Sequence, residues 1–238
     1  MKSVEKRFGF IIINKVSGPT SHDVIDELRK IIGIRKIGHA GTLDPFASGV
    51  LICAVGREAT KRIREFAEMD KEYVADIVLG KVSDTYDRTG KITISEKSGG
   101  TGQCPVGTGQ CPVRTVLKEF IGKQKQLVPA YSATKVGGKK MYELARAGKK
   151  IFLPPTEIEI YDIELLKYKW PSLKIKVKCS SGTYIRTLAH DIGQKLGTGA
   201  YLKELQRTAI GDYKINRAVS LEKLNKDNWQ DYLFNLPN

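Results

Sequence analysis

Asp44 is the carboxylate of a segment that reads Gly-His-Ala-Gly-Thr-Leu-Asp-Pro-Phe-Ala-Ser-Gly from Gly38 to Gly49. The segment carries no helical or strand period, and Gly38, Gly41 and Gly49 punctuate it. Pro45 pushes the residue before it toward an extended or turn conformation. Leu43, Phe46 and Ala47 flank the acid with apolar surface. A carboxylate presented in this way can be aimed at a ligand rather than left in bulk water, and an ionised acid so aimed can act as nucleophile or as base. The plainer use of Asp before Pro is a turn, its side chain accepting from nearby backbone N–H groups.

Other polar side chains are read from their positions. Arg186 follows Gly182-Thr-Tyr-Ile at the predicted start of a helix over 183–196, just after an apolar strand. A lone cation is slightly unfavourable at a helix N-terminus, so an arginine there calls for an anion. Tyr73 alternates with Ala75, Ile77 and Leu79, which predicts a strand; a tyrosine so placed is ordinarily a core residue. His39, between Gly38 and Ala40, sits at an ordinary loop position, and His22 and His190 are read as structural.

The elements that must position these groups follow from patterning. Phe8–Ile13 and Val50–Val55 are short apolar runs that read as buried strands. Thr20 with Asp23 three residues on predicts a helix cap, Val24 to Ile32 keep helical spacing, and Gly33 stops the helix. A second helix is predicted over 58–67. Ile92 and Ile94 suggest a strand partnering 73–79 after a turn at 87–90. Residues 97–113 repeat GTGQCPV twice and read as a lengthened surface loop. A short helix (114–121) precedes a Gly-Gly hairpin and a basic helix within 129–148. Paired strands follow at 157–166 and 173–179, and 201–213 reads as a short helix or turn and then a strand. The last twenty residues, with Trp229, Tyr232 and Phe234, read as a tail packed back on the body. Strands and helices interleave without a regular βαβ repeat, so the class is α+β with a mixed, mostly antiparallel sheet.

Bulk properties narrow the partners. The chain has 238 residues, 40 Lys plus Arg against 26 Asp plus Glu, and a formal net charge of +14. Such a surface suits a polyanion, nucleic acid first and an anionic membrane second. No apolar run approaches the ~20 residues of a spanning helix. Cys53, Cys104, Cys111 and Cys179 form no CxxC pair and give no metal signature, which fits a reducing, cytoplasmic setting.

The segment around Asp44 resembles the catalytic motif of the TruB-type pseudouridine synthases, GH(A/T)G(T/A)LDP(x)A(S/T)G, over about ten specified positions. Further segments match in order: GREATK at 56–61, Lys71-Glu-Tyr73, YSATKVGGKKMYELARAG at 131–148, and CSSGTYIRTLAHDIGQKLGTGAYLKELQRTAIG from Cys179. The resemblance runs from about Phe8 to Leu224. It implies the pseudouridine synthase fold in a single catalytic domain over 1–238, with an RNA-gripping insertion near 123–152. Where many members continue into a C-terminal PUA domain this chain stops, so the form expected lacks it. Lys15-Val16 stands where the family often has Lys-Pro.

By that resemblance the chain isomerises uridine to pseudouridine at U55 in the T loop of tRNA, without metal or organic cofactor. The N1–C1′ bond breaks, uracil turns, and C5 rejoins the sugar, so the base must leave its stack. Asp44 is the acid implied, with nucleophilic attack and C2′ proton abstraction both open. Arg186 is the implied partner of that carboxylate. Tyr73 is implied as the stacking platform, Tyr184 as a second active-site tyrosine, Leu205 as an apolar wall and His39 as a group that displaces the target base. Lys61, Lys135, Lys139, Lys140 and Arg146 are expected to contact phosphates. The expected partner is the tRNA T stem-loop, bound by a monomer with neither a membrane nor an obligatory protein partner. Two other readings are a guide-RNA-dependent enzyme of ribosomal RNA and a catalytically idle tRNA-binding or folding protein. A hydrolase is disfavoured, since no second carboxylate or metal cluster stands at useful spacing.

Overall fold

The computed structural model describes residues 8–95, 112–129, 135–136, 139–141 and 154–236. The chain divides into two compact units, Met1–Glu72 with Gln206–Asn238, and Tyr73–Leu205.

The first unit is layered around two strands, β1 (Gly9–Lys15) and β3 (Ser48–Val55), which pair antiparallel from Gly9 opposite Val55 to Lys15 opposite Gly49. Both read as unbroken apolar runs because both faces are covered. On one face Ile11, Ile13, Leu51 and Cys53 pack against Val24, Ile25 and Leu28 of α1 (Ser21–Ile32) and against Trp229. On the other, Phe10, Ile12, Val50 and Ile52 pack against Ala59 and Phe66 of α2 (Arg57–Glu68). The predicted cap of α1 is present as a reciprocal box. Thr20 Oγ1 accepts from the Asp23 N–H, Asp23 accepts from the Thr20 N–H, and Gly33 closes the helix in a left-handed conformation. A short strand, β2 (Ile37–Ala40), pairs with the C-terminal half of β3. The carboxyl-terminal tail returns to this unit: Phe10 and Phe234 exchange backbone hydrogen bonds, Val219 pairs beside Ile12 and Asn14, and Trp229 is buried.

The second unit carries strands in the order β12 (Ala200–Ile210, of which 200–205 are in this unit), β4 (Lys71–Leu79, of which 73–79 are), β11 (Ser172–Cys179), β10 (Thr156–Lys169) and β7 (Gly122–Gln126). The strict alternation of β4 buries Tyr73, Ala75, Ile77 and Leu79 on one side. Helix α3 (Pro112–Lys118) lies in this unit, as does α4 (Ile185–Lys195). β5 (Lys81–Ser83) pairs antiparallel with β6 (Ile92–Ile94), and β8 (Lys135–Val136) with β9 (Lys139–Lys140).

Three expectations are corrected. Residues 92–94 pair with Lys81–Ser83 rather than with 73–79, because Gly80 turns the chain out of β4 first. Residues 200–210 form one strand; Leu202, Leu205 and Ala209 keep helix-like spacing, but burial alternates through Leu205, Arg207 and Ala209. The segment around Asp44 is not wholly irregular, since β2 ends at Ala40 and β3 begins at Ser48. The duplicated stretch, up to its last residues in α3, and the basic helix after Met141 lie outside the described residues. No helix among the described residues is long and apolar enough to cross a membrane.

Candidate active site

The Asp44 loop is held from beneath by two cations of its own unit. Lys15, 1% exposed at the end of β1, donates from Nζ to the carbonyls of Ala47 (2.7 Å), Pro45 (3.1 Å) and Asp44 (3.4 Å), and to that of Val16. Arg207, 1% exposed, donates from Nε to the Val50 carbonyl and from Nη2 to that of Gly41, each at 2.8 Å. These donors thus tie down carbonyls on both sides of the acid. Ser21 Oγ bridges the N–H and carbonyl of Leu43, and Ser17 Oγ donates to the Phe46 carbonyl. Leu43, Phe46 and Ala47 are buried as the apolar flank suggested, while Asp44 itself stays partly accessible.

The closeness of Arg207 explains a glycine. Arg207 pairs with Gly49 in parallel register, and a Cβ on Gly49 would stand 2.2 Å from the Arg207 carbonyl oxygen. Burial lowers the Lys15 ammonium to about 8, with Asp44 opposing that shift and Arg207 adding to it. Lys15 is therefore still charged at neutral pH.

His39 sits on β2 opposite Cys53. Burial, with smaller effects from His22 and Arg207, holds its imidazole below the usual value, and its Nδ1 is buried without a hydrogen-bond partner. A neutral ring suits a binding role better than a proton relay.

In the second unit the residues of Gly182-Thr-Tyr-Ile-Arg are gathered at the start of α4. Tyr184 is its N-cap residue and is clamped through its backbone: the Tyr184 N–H donates to Gln126 Oε1 at 2.7 Å, and Gln126 Nε2 donates back to the Tyr184 carbonyl at 3.0 Å. Arg186 is 4% exposed and donates from Nη1 to Asp87 Oδ2 at 3.3 Å and to the Thr85 carbonyl at 3.4 Å. Asp87 is 3% exposed, and its other oxygen accepts from Thr85 Oγ1, the Thr89 N–H and Thr89 Oγ1. A cation at a helix N-terminus called for an anion, and Asp87 meets that need inside this unit. Tyr73 and Leu205 are buried residues of β4 and β12.

Sequence reasoning missed Asp87, Gln126 and Arg207 and noted Lys15 only for its neighbour. A cation at an inward strand position, as at Arg207 between Leu205 and Ala209, is the signal that marks a buried donor. Lys61 lies on the exposed side of α2, paired with Glu58 at 3.0 Å. Lys135, Lys139 and Lys140 fall in the β8–β9 pair, their side chains outside the described residues, as is Arg146. Among the described residues no three His, Cys, Asp or Glu side chains gather as metal ligands.

The chain has counterparts among known proteins. Residues 29–185 match the TruB family pseudouridylate synthase N-terminal domain, and residues 186–235 match the tRNA pseudouridylate synthase B C-terminal domain. The chain belongs to the TruB family of pseudouridylate synthases and is an isomerase. It is 45% identical to tRNA pseudouridine synthase B of Thermosipho melanesiensis over 89% of this chain and 67% of that protein. Against the protein of the same name from Protochlamydia amoebophila, identity is 42% over 89% of this chain and 78% of the relative. A solved Cbf5–Nop10–Gar1 complex contains a similar chain, with TM-score 0.70 and 31% identity, covering 96% of this chain and 55% of that one. This chain therefore spans little more than half the length of that solved relative.

Proposed function

We propose that this protein converts uridine to pseudouridine in tRNA, at U55 of the T loop, with Asp44 as the reacting carboxylate. The observation that carries the reading is the pinning of the Asp44 loop by Lys15 and Arg207. The carbonyls around the acid are spent on buried donors, so the loop keeps one shape while the side chain stays accessible. That is the preorganisation a carboxylate needs to act at a sugar carbon. The names of the relatives supply the substrate class.

In this reading the target base leaves its stack to present its sugar to the acid. Asp44 engages the sugar or base, as nucleophile or as C2′ base. Tyr73 supports the extruded uracil by stacking, worth about 1–3 kcal/mol, Tyr184 lies against the base, and Leu205 excludes water. Arg186 supplies the positive charge that accompanies the acid, and His39 helps displace the base. Lys61, Lys135, Lys139, Lys140 and Arg146 grip phosphates of the T stem-loop. The protein works as a monomer, without a protein partner, in the cytoplasm.

The test is release of tritium from tRNA labelled at uridine C5, with the modified position mapped afterwards. Purified protein is expected to release label from U55. Asp44→Asn is expected to abolish release while tRNA binding persists; release at the normal rate would remove Asp44 from the chemistry.

A further inference from the structure

Tyr86 occupies a backbone conformation that its side chain disfavours. Its φ is 64°, and it is the non-glycine residue with positive φ among the described residues. Glycine is the usual occupant of such a position, and a bulky residue there is an outlier with a reason. The reason is visible in the ring. Tyr86 stacks on the His190 imidazole, centroids 4.0 Å apart and planes within 19°.

The two partners of this stack bracket the Arg186 pair. Tyr86 stands between Thr85, whose carbonyl accepts from Arg186, and Asp87, whose carboxylate does. His190 lies on α4 four residues after Arg186, on the same face of the helix. The loop and the helix are thus joined twice, once by ions and once by rings. The backbone of Tyr86 is fixed as well: its N–H donates to the Ser83 carbonyl and its carbonyl accepts from the Leu202 N–H. Burial keeps the His190 ring below its usual value, so it is neutral at pH 7.

We propose that the Tyr86–His190 stack is a latch that sets the Asp87 carboxylate on the Arg186 guanidinium, making Tyr86 and His190 positioning residues for the isomerisation. The proposal rests on the reading that Arg186 serves the reaction. The stack adds a side-chain restraint to a strained loop residue that two backbone hydrogen bonds also hold; without the ring those bonds alone oppose the strain, and Asp87, the next residue, shifts on Arg186. A small misplacement of a charged group near the chemistry lowers rate more than binding.

Tyr86→Gly is the informative substitution, because it relieves the backbone while deleting the ring. With tritium-labelled tRNA under single-turnover conditions, Tyr86→Gly and His190→Ala are each expected to slow release about 10-fold, with tRNA affinity within about two-fold of the parent. Tyr86→Phe and His190→Phe keep a stacking ring and are expected to restore the rate. In an Asp87→Asn background, Tyr86→Gly should cost nothing further, since the stack acts through that carboxylate. A full rate for both Tyr86→Gly and His190→Ala would overturn the proposal, and so would losses that multiply independently of Asp87. If Asp87→Asn is too slow to time, the same cycle read by thermal unfolding decides: coupling supports the latch and additivity refutes it. If Tyr86→Gly fails to fold, His190→Ala answers from the helix side. Full activity of Arg186→Lys would overturn the reading beneath, while the unfolding cycle would still report on the latch.

Discussion

Arg186 shows how a single residue's demand can be read before its partner is known. A guanidinium at the first turn of a helix, behind an apolar strand, had to find an anion, and that much follows from the helix dipole. Which anion supplies it inside the unit was not legible. Asp87 is 99 residues away in the chain, in a stretch that reads as an ordinary turn. Local pattern carries no trace of such a distant partner, and the same holds for Arg207, whose acceptor at Val50 is 157 residues away. Both ions of the Arg186–Asp87 pair are nearly inaccessible, so removing one charge leaves the other buried with a partner lost. Asp87→Asn is therefore expected to destabilise the fold by about 3 kcal/mol, measured by urea unfolding, and to slow pseudouridine formation without a matching loss of tRNA affinity.

At the scale of elements, sequence and structure agree where the physics is local. The α1 cap, its left-handed glycine stop, the two-sided burial of β1 and β3 and the alternation of β4 all come from spacing and composition. Agreement fails at 200–210, where Lys203 and Glu204 are both exposed and interrupt the alternation that would have marked a strand. The Asp44 loop illustrates a different limit. Its apolar flank was readable, but the Lys15 ammonium that ties its carbonyls together was not. Lys15→Met is expected to leave those acceptors unsatisfied and to lower stability by about 2 kcal/mol, seen as a lower urea midpoint with unchanged slope. Helix α4 offers a pH-dependent case. Burial pushes the Asp191 carboxyl up to about 6 from an ordinary value near 3.8. Between those values the folded state holds a proton that the unfolded chain releases, so stability falls as pH rises through that window. The contribution is whole below the lower value and lost above the upper one. Asp191→Asn should accordingly stabilise the fold at pH 8 by an amount on the order of 1 kcal/mol after solvent screening at a partly accessible site, seen as a higher melting temperature, and change little near pH 4. Paired scans at the two pH values check this.

For the molecule as a whole, charge is the property most plainly written in composition. A net +14 on 238 residues demands a polyanion. Affinity for tRNA is expected to fall with salt, the plot of log K against log salt having a slope steeper than about −3; a flat plot would remove phosphate contact as the source of binding. Lys61 must leave an exposed pairing with Glu58 to reach a phosphate, so Lys61→Ala is expected to flatten that slope by at most about one unit.

The division of the chain has a temporal meaning. Asp44 belongs to a unit assembled from residues 1–72 and 206–238, stitched shut by the Phe10–Phe234 hydrogen bonds and by Val219 beside Ile12. During synthesis Asp44 leaves the ribosome well before residues 206–236, which complete the surroundings of its loop. A nascent chain thus carries this loop unpinned on one side while the 157 residues from Val50 to Arg207 are added, and only then does the guanidinium that ties it down exist.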